Sequence, residues 1–414
     1  MNCFMSTLRR LSKAGCCFVA ALAWAGDDER AQDLFQQHRW FELREVPVVD
    51  QYAAPLIKGA LASAFNRPLE AERQLKLALH MAKGSEQLNA ARDKLVVLYL
   101  RQGRTRDATS ELRAALKRDP SRADLRSLLD LFGPLSSYQS FSARLPKAGA
   151  DLPCEVKDDG VWLSGSVNGK KVTWLLDTGF NFSGASEAEA RSLGIVIHDG
   201  GASTRDLAGG EARTKSGVAE RITIGGIEFR NVPLLIFPDS QQPWKEWPMG
   251  RRGIVGLPQA IAMQTLSWTR DGTCRASFAS TDRGVANLAF DDFNPVVRGT
   301  MNGRPLEFIM DTGNQAGTQL WSRFKADFPD VVSTEGVTSG TTRVTQIGGA
   351  NDRPATQIPE LRFEAGGMAA VLKPAHLFAK PVGNDYQHGL LGMDVFSQAR
   401  EIVIDFRTMI FTAR

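Results

Sequence analysis

One stretch of this chain is repeated within it. Val167 to Gly179, reading VNGKKVTWLLDTG, reappears as Met301 to Gly313, reading MNGRPLEFIMDTG. Positions 169 and 303 carry the glycine of an Asn-Gly pair, positions 177 and 311 the aspartate of Asp-Thr-Gly, and both pairs are 134 residues apart. Each copy reads as a strand, an Asn-Gly turn suited to a two-residue hairpin, a second apolar strand, and then Asp-Thr-Gly. Each later reaches an apolar pair followed by glycine, Ile254-Val255-Gly256 and Leu390-Leu391-Gly392, at nearly equal spacing. Terminal strands follow, Ala276 to Ala279 closing the first copy and Ile402 to Phe406 with Met409 to Phe411 closing the second. Beyond residue 150 the chain is rich in Gly, Thr, Val and Ile with short alternating runs. The repeat therefore predicts two homologous all-β lobes, over 154–283 and 284–414.

The repeat leaves much of the 414-residue chain unexplained. At 43% hydrophobic and 23% charged residues, the balance is that of a soluble multidomain protein, not of a disordered, collagenous or polytopic membrane chain. A net charge of +4 over 50 basic and 46 acidic residues gives no nucleic-acid footprint. From 27 to 135 the sequence is rich in Ala, Leu, Arg, Glu and Gln with apolar residues at helical spacing, which predicts an α-helical region. Leu95 to Arg104, followed by Ala108, Leu112, Ala115 and Pro120, resembles a tetratricopeptide repeat, and Ala71, Leu75 and Ala78 look like a weaker copy. That resemblance implies either a docking surface for a protein partner or a small module that packs on the next domain. Arg101, Arg104, Arg106, Arg113, Lys117 and Arg118 form a basic run expected on a solvated helix face. Residues 136–153, opening on turn formers without a clear period, read as a linker.

The N-terminus has the order of a signal peptide. Arg9, Arg10 and Lys13 precede an apolar stretch from Ala14 to Ala25, with small residues at 23 and 25 and a polar run from Gly26. Residues 1–25 are expected to be cleaved, leaving a periplasmic or secreted chain without a stable membrane span. The alternative is an uncleaved anchor or a buried helix. Of the five cysteines only Cys154 and Cys274 would remain, a count that permits one disulfide without requiring it.

From residue 155 to 414 the doubled Asp-Thr-Gly, each copy behind an apolar strand and ahead of an apolar-apolar-Gly segment, resembles the aspartic proteases, retropepsin-like and pepsin-like, with two lobes fused in one chain. The resemblance implies peptide hydrolysis by Asp177 and Asp311, one ionised as base and one protonated as acid. Two close carboxylates suit this task because they cannot both ionise cheaply, so one proton is shared. The resemblance further implies that Thr178 and Thr312 hydrogen-bond across the lobe interface, and that Gly179 and Gly313 let backbone amides approach the carboxylates. Phe180 and Asn314 stand where pepsins carry a hydroxyl that bonds a catalytic carboxylate. That departure predicts a pH optimum nearer neutral than pepsin's. Gly209, Gly210, Gly348 and Gly349 are candidates for substrate-covering flap tips, or for ordinary turns of a β-rich domain. Trp244 and Trp247 would line a pocket or cap a lobe.

Other chemistries lack their motifs. The sequence has no nucleophile elbow, metal-binding His-Glu-x-x-His helix, phosphate-cradling loop or dinucleotide fingerprint, so no metal or cofactor is expected. The five histidines are scattered, with His388 close in sequence to Leu390. An aspartic endopeptidase acting on peptides or proteins is the leading reading. The alternative is an inactive protease-like scaffold that works through its helical module.

Overall fold

A computed structural model describes residues 28–47, 54–205, 211–278, 284–346, 349–378 and 386–414, without side chains at 201–205, 211–212, 343–346 and 349–351. The expected signal segment and the glycines at 209, 210 and 348 lie outside the described residues. No helix among those described is long and apolar enough to cross a membrane.

The chain divides into two compact units, residues 1–94 and 95–414. In the first, helices Ala54–Ala64 and Pro68–Met81 are joined by a short turn. Their crossing is close, since a Cβ on Gly59 would come within 2.7 Å of Leu75 Cγ. Ala71, Leu75 and Ala78 are the buried stripe of the second helix. The matching residues Ala108, Leu112 and Ala115 are buried on helix Thr105–Arg118, in the second unit.

The boundary between the units falls inside helix Ser85–Arg101, so helices Thr105–Arg118 and Ala123–Phe132 group with the sheets that follow. The basic run explains part of this. Arg101, expected on a solvated face, is 3% exposed, and its Nη1 donates to the carbonyl of Asp292 at 2.6 Å. Arg106 donates from its guanidinium to the carbonyls of Ser136 and Tyr138. These arginines satisfy carbonyls that helix ends and turns leave unpaired.

Each copy of the repeat lies in its own sheet. The first belongs to a nine-stranded sheet and the second to a ten-stranded one. Both Asn-Gly hairpins form as expected, with φ 48° and 85° at Asn168 and Gly169 and 52° and 74° at Asn302 and Gly303. Two consecutive left-handed residues give the twist that a two-residue hairpin needs. The apolar strand after each hairpin pairs in parallel with the later apolar pair: Leu175 and Leu176 with Ile254 and Val255, Ile309 and Met310 with Leu390 and Leu391. All eight side chains are buried, which is why these runs are continuously apolar instead of alternating.

The terminal strands do not close each copy separately. Thr265–Thr269 of the first half pairs antiparallel with Glu401–Asp405 of the second, inside a five-stranded sheet that also holds Ala150–Leu152, Cys274–Ser277 and Ile410–Ala413. Leu266, Trp268, Ile402 and Ile404 are among its buried residues. The stretch expected as a linker is also partly sheet. Ser142–Arg144 pairs with the strand Ile227–Phe237, and Ala150–Leu152 pairs with Cys274–Ser277. Strands of three residues are too short to show a period. Cys154 and Cys274 form a disulfide, joining the nine-stranded sheet to the five-stranded one.

Candidate active site

Asp177 and Asp311 each stand one residue past the end of a buried strand. Their backbone amides donate to Val255 and Leu391, at 3.1 and 3.2 Å, so the neighbouring parallel strand sets where each loop begins. The two loops then interlock. Thr178 Oγ1 donates to the carbonyl of Met310 at 2.9 Å and accepts from the amide of Thr312 at 3.2 Å. Thr312 Oγ1 donates to the carbonyl of Leu176 at 2.9 Å and accepts from the amide of Thr178 at 3.0 Å. Both threonines are fully buried, so these four bonds satisfy groups that have no water to turn to.

The glycines explain how the carboxyls come together. Gly179 donates to Asp177 Oδ1 at 2.9 Å, and Gly313 donates to Asp311 Oδ1 at 3.0 Å. Each glycine also faces the opposite carboxyl. A Cβ on Gly179 would lie 2.4 Å from Asp311 Cγ, and one on Gly313 would lie 2.2 Å from Asp177 Cγ. Any side chain at either position would occupy the space the carboxyls use.

Enclosure of the pair sets its protonation. Burial, then the facing charge of Asp311, pushes the Asp177 carboxyl well above the ordinary carboxylate range. Burial likewise lifts Asp311 to about 6, opposed by hydrogen bonds from Asp177 and from the backbone. The pair titrates as a unit that holds a proton where ordinary carboxyls have lost theirs. Asn314 directs its side chain to its own loop, donating to Gly317 and accepting from Ala316, and Phe180 packs on Phe237.

A second layer of polar residues holds the loops and was missed in the sequence. Gly256 donates to Ser183 Oγ at 3.1 Å, and Ser183 Oγ in turn donates to Gln259. Gly392 donates to Thr318 Oγ1 at 3.1 Å, and Thr318 Oγ1 donates to Asp394 at 2.7 Å. The signal was present: a hydroxyl soon after each Asp-Thr-Gly and a polar residue soon after each apolar-apolar-Gly. The expected close packing at these glycines is real, since a Cβ on Gly256 would lie 1.8 Å from the Phe182 carbonyl oxygen.

The remaining candidates resolve differently. The glycines at 209 and 210 fall between strands Val196–Arg205 and Glu211–Ile224, which pair down to Arg205 with Glu211. Gly349 begins a strand that pairs with Thr338–Gln346. Trp244 is buried, stacked on Phe237 with Trp247 at its edge, so it is core of the first half. His388 is also core: its Nδ1 accepts from the Glu307 amide, and Nε2 faces Asp327 at 3.1 Å. Burial, and then nearby Arg323, lower its pKa to about 4, so the imidazole is neutral.

Part of the chain is similar to known proteins. Residues 163–258 match the family model described as aspartyl protease. No curated protein matches the chain. Among solved structures, it is similar to basic 7S globulin from soybean at 10% identity, over 63% of this chain and 93% of that one, with a TM-score of 0.37. It is also similar to a retropepsin-like aspartic protease from Rickettsia conorii at 16% identity, over 33% of this chain and 96% of that one, with a TM-score of 0.24. The family match and the interlocked loops together describe an aspartic protease-like fold.

Proposed function

We propose that this chain is an aspartic endopeptidase in which Asp177 and Asp311 hydrolyse peptide bonds through a shared water. The observation that carries the reading is the reciprocal placement of each carboxyl against the glycine of the other loop. With one proton shared, the ionised carboxylate takes a proton from water as the oxygen attacks the peptide carbonyl. The protonated partner gives its proton to the carbonyl oxygen. On collapse of the tetrahedral intermediate the roles reverse, a proton reaches the leaving amine, and the pair returns to its starting state. Thr178, Gly179, Thr312 and Gly313 hold this geometry without touching the proton. The paired strands around positions 209–210 and 348–349 serve as substrate-covering hairpins in this reading.

The reading extends to the whole chain. The helical region, tetratricopeptide-like in pattern, docks a protein partner and brings substrate to the site. The basic-apolar N-terminus directs export, and the Cys154–Cys274 disulfide supports an oxidising, periplasmic or extracellular compartment. The test is cleavage of an unbiased peptide library by purified chain across pH, beside Asp177→Asn and Asp311→Asn. Cleavage abolished by both substitutions is the expected result. Silence from the intact chain on every peptide at every pH would favour a protease-like binding protein instead.

A further inference from the structure

The segment after each Asp-Thr-Gly loop braces against a turn of the other half, with different chemistry on the two sides. Gln315 Nε2 donates to the carbonyl of Asp159 at 2.8 Å, in the turn between strands Cys154–Lys157 and Gly160–Val167. In the opposite direction the Phe182 ring lies 5.6 Å from the ring of Phe293, in the turn between strands Leu288–Asp291 and Asn294–Met301. The first brace is one exposed hydrogen bond. The second is apolar, with Phe182 buried and Phe293 half-buried, and residues outside the repeat support it at both ends.

Phe132, the last residue of helix Ala123–Phe132, places its ring 4.7 Å from Phe182. That helix end is itself held, because Thr109 Oγ1 donates to the Phe132 carbonyl and Thr105 Oγ1 to that of Leu135. Arg101 supports the other end. Its bond reaches the carbonyl of Asp292, a residue at φ 53° beside Phe293, and its guanidinium lies 4.3 Å from the Phe290 ring centre. A displacement at Phe182 has a direct route to the reacting carboxyl. The Phe182 carbonyl packs against Gly256, next to Val255, whose carbonyl accepts the amide of Asp177.

We propose that Phe132 and Arg101 are positioning residues for hydrolysis: through Phe182 and the Phe293 turn they hold the Asp177 loop at its working distance from the Asp311 loop. The inference rests on the dyad reading above. It makes the stretch from Arg101 to Phe132 part of the hydrolytic unit in addition to any docking role.

The test uses the full chain with Phe132→Ala, Phe132→Leu and Arg101→Lys. Two readouts are taken: kcat and KM on a cleaved peptide, and titration of the two aspartates by carbon NMR on side-chain-labelled protein. Misplacement of a reacting group by a fraction of an ångström to an ångström predicts a kcat loss of roughly tenfold to hundredfold for Phe132→Ala and Arg101→Lys. KM should stay within about twofold, and Phe132→Leu, which keeps most of the apolar contact, should recover most of the rate. The aspartate titration should move in the two damaging variants and hardly at all in Phe132→Leu. Lowered melting temperature with unchanged kcat and unchanged titration would overturn the proposal, because a merely structural role moves only the first. If the wild-type chain cleaves nothing, the dyad reading fails separately. The titration then decides alone, and an unmoved titration in Phe132→Ala and Arg101→Lys overturns the positioning role.

Discussion

Gly313 faces the carboxyl of Asp177 so closely that an added Cβ would sit 2.2 Å from its Cγ, a distance no side chain can occupy. Gly313→Ala should therefore push the two carboxyls apart or unseat the loop. The expected outcome is a loss of kcat of at least about 100-fold, the order that misplacement of a reacting group produces. Gly179→Ala should behave alike, since its Cβ would meet Asp311 at 2.4 Å. Steady-state kinetics on a cleaved peptide checks both.

The threonine interlock predicts a stability effect that depends on chemistry and not on size. Thr178→Val keeps the volume but strands the buried amide of Thr312 and the carbonyl of Met310. Each unpaired group costs about 1–3 kcal/mol, so urea unfolding should show a loss of roughly 2–6 kcal/mol. Thr178→Ser, which retains the hydroxyl, should lose far less.

Protonation of the dyad predicts the shape of two pH profiles. Both aspartates have folded pKa values raised above their unfolded ones, Asp311 to about 6. The acidic limb of kcat against pH should therefore lie near 6, above the ordinary carboxylate range, because the base must first ionise. For a carboxyl raised in the fold, the stability contribution is full below the unfolded pKa and is lost as pH rises through the folded value. Melting temperature should accordingly fall from about pH 4 to above 6, and the Asp177→Asn, Asp311→Asn double variant should flatten that slope.

His388 predicts a separate effect from the acid side. Its folded pKa is lowered from 6.5 to about 4, so the unfolded chain takes up the proton first. Stability is lost as pH falls from about 6.5 to about 4, opposite in sense to the dyad. His388→Gln should weaken this acid-side slope in a thermal scan across pH.

The Cys154–Cys274 disulfide closes a separation of 120 residues. Constraining the unfolded chain over a loop of that length stabilises the fold by roughly 2–5 kcal/mol, towards the upper end because the loop is long. Denaturant unfolding with and without reductant should differ by that amount, and Cys154→Ser with Cys274→Ser should match the reduced protein.

The parts of this architecture that were legible in the sequence are those with strict local requirements. Two left-handed residues force Asn-Gly at the hairpins, burial on both faces forces the apolar runs at Leu175 and Ile309, and the carboxyl contact forces Gly179 and Gly313. What escaped detection depends on distant pairing. Ser142–Arg144 and Ala150–Leu152 are too short for periodicity and become strands only because partners lie beside them. Arg101 looks like any helix-surface cation until Asp292, far along the chain, supplies the carbonyl that accepts from it. Ser183 and Thr318 follow the two Asp-Thr-Gly loops as a visible pair of hydroxyls, but a hydroxyl there has many uses and only the approach of Gly256 and Gly392 selects this one.

The central claim is that Asp177 and Asp311 act as one unit. Its most direct test is a double-mutant cycle on a cleaved peptide, with Asp177→Asn, Asp311→Asn and the pair together at the pH of maximal activity. Groups that share one proton and one water are grossly non-additive. Each single substitution should therefore reduce kcat to near background, and the double variant should be no worse than either. A single variant that keeps a substantial fraction of wild-type kcat, or two partial losses that multiply in the double, would contradict the account.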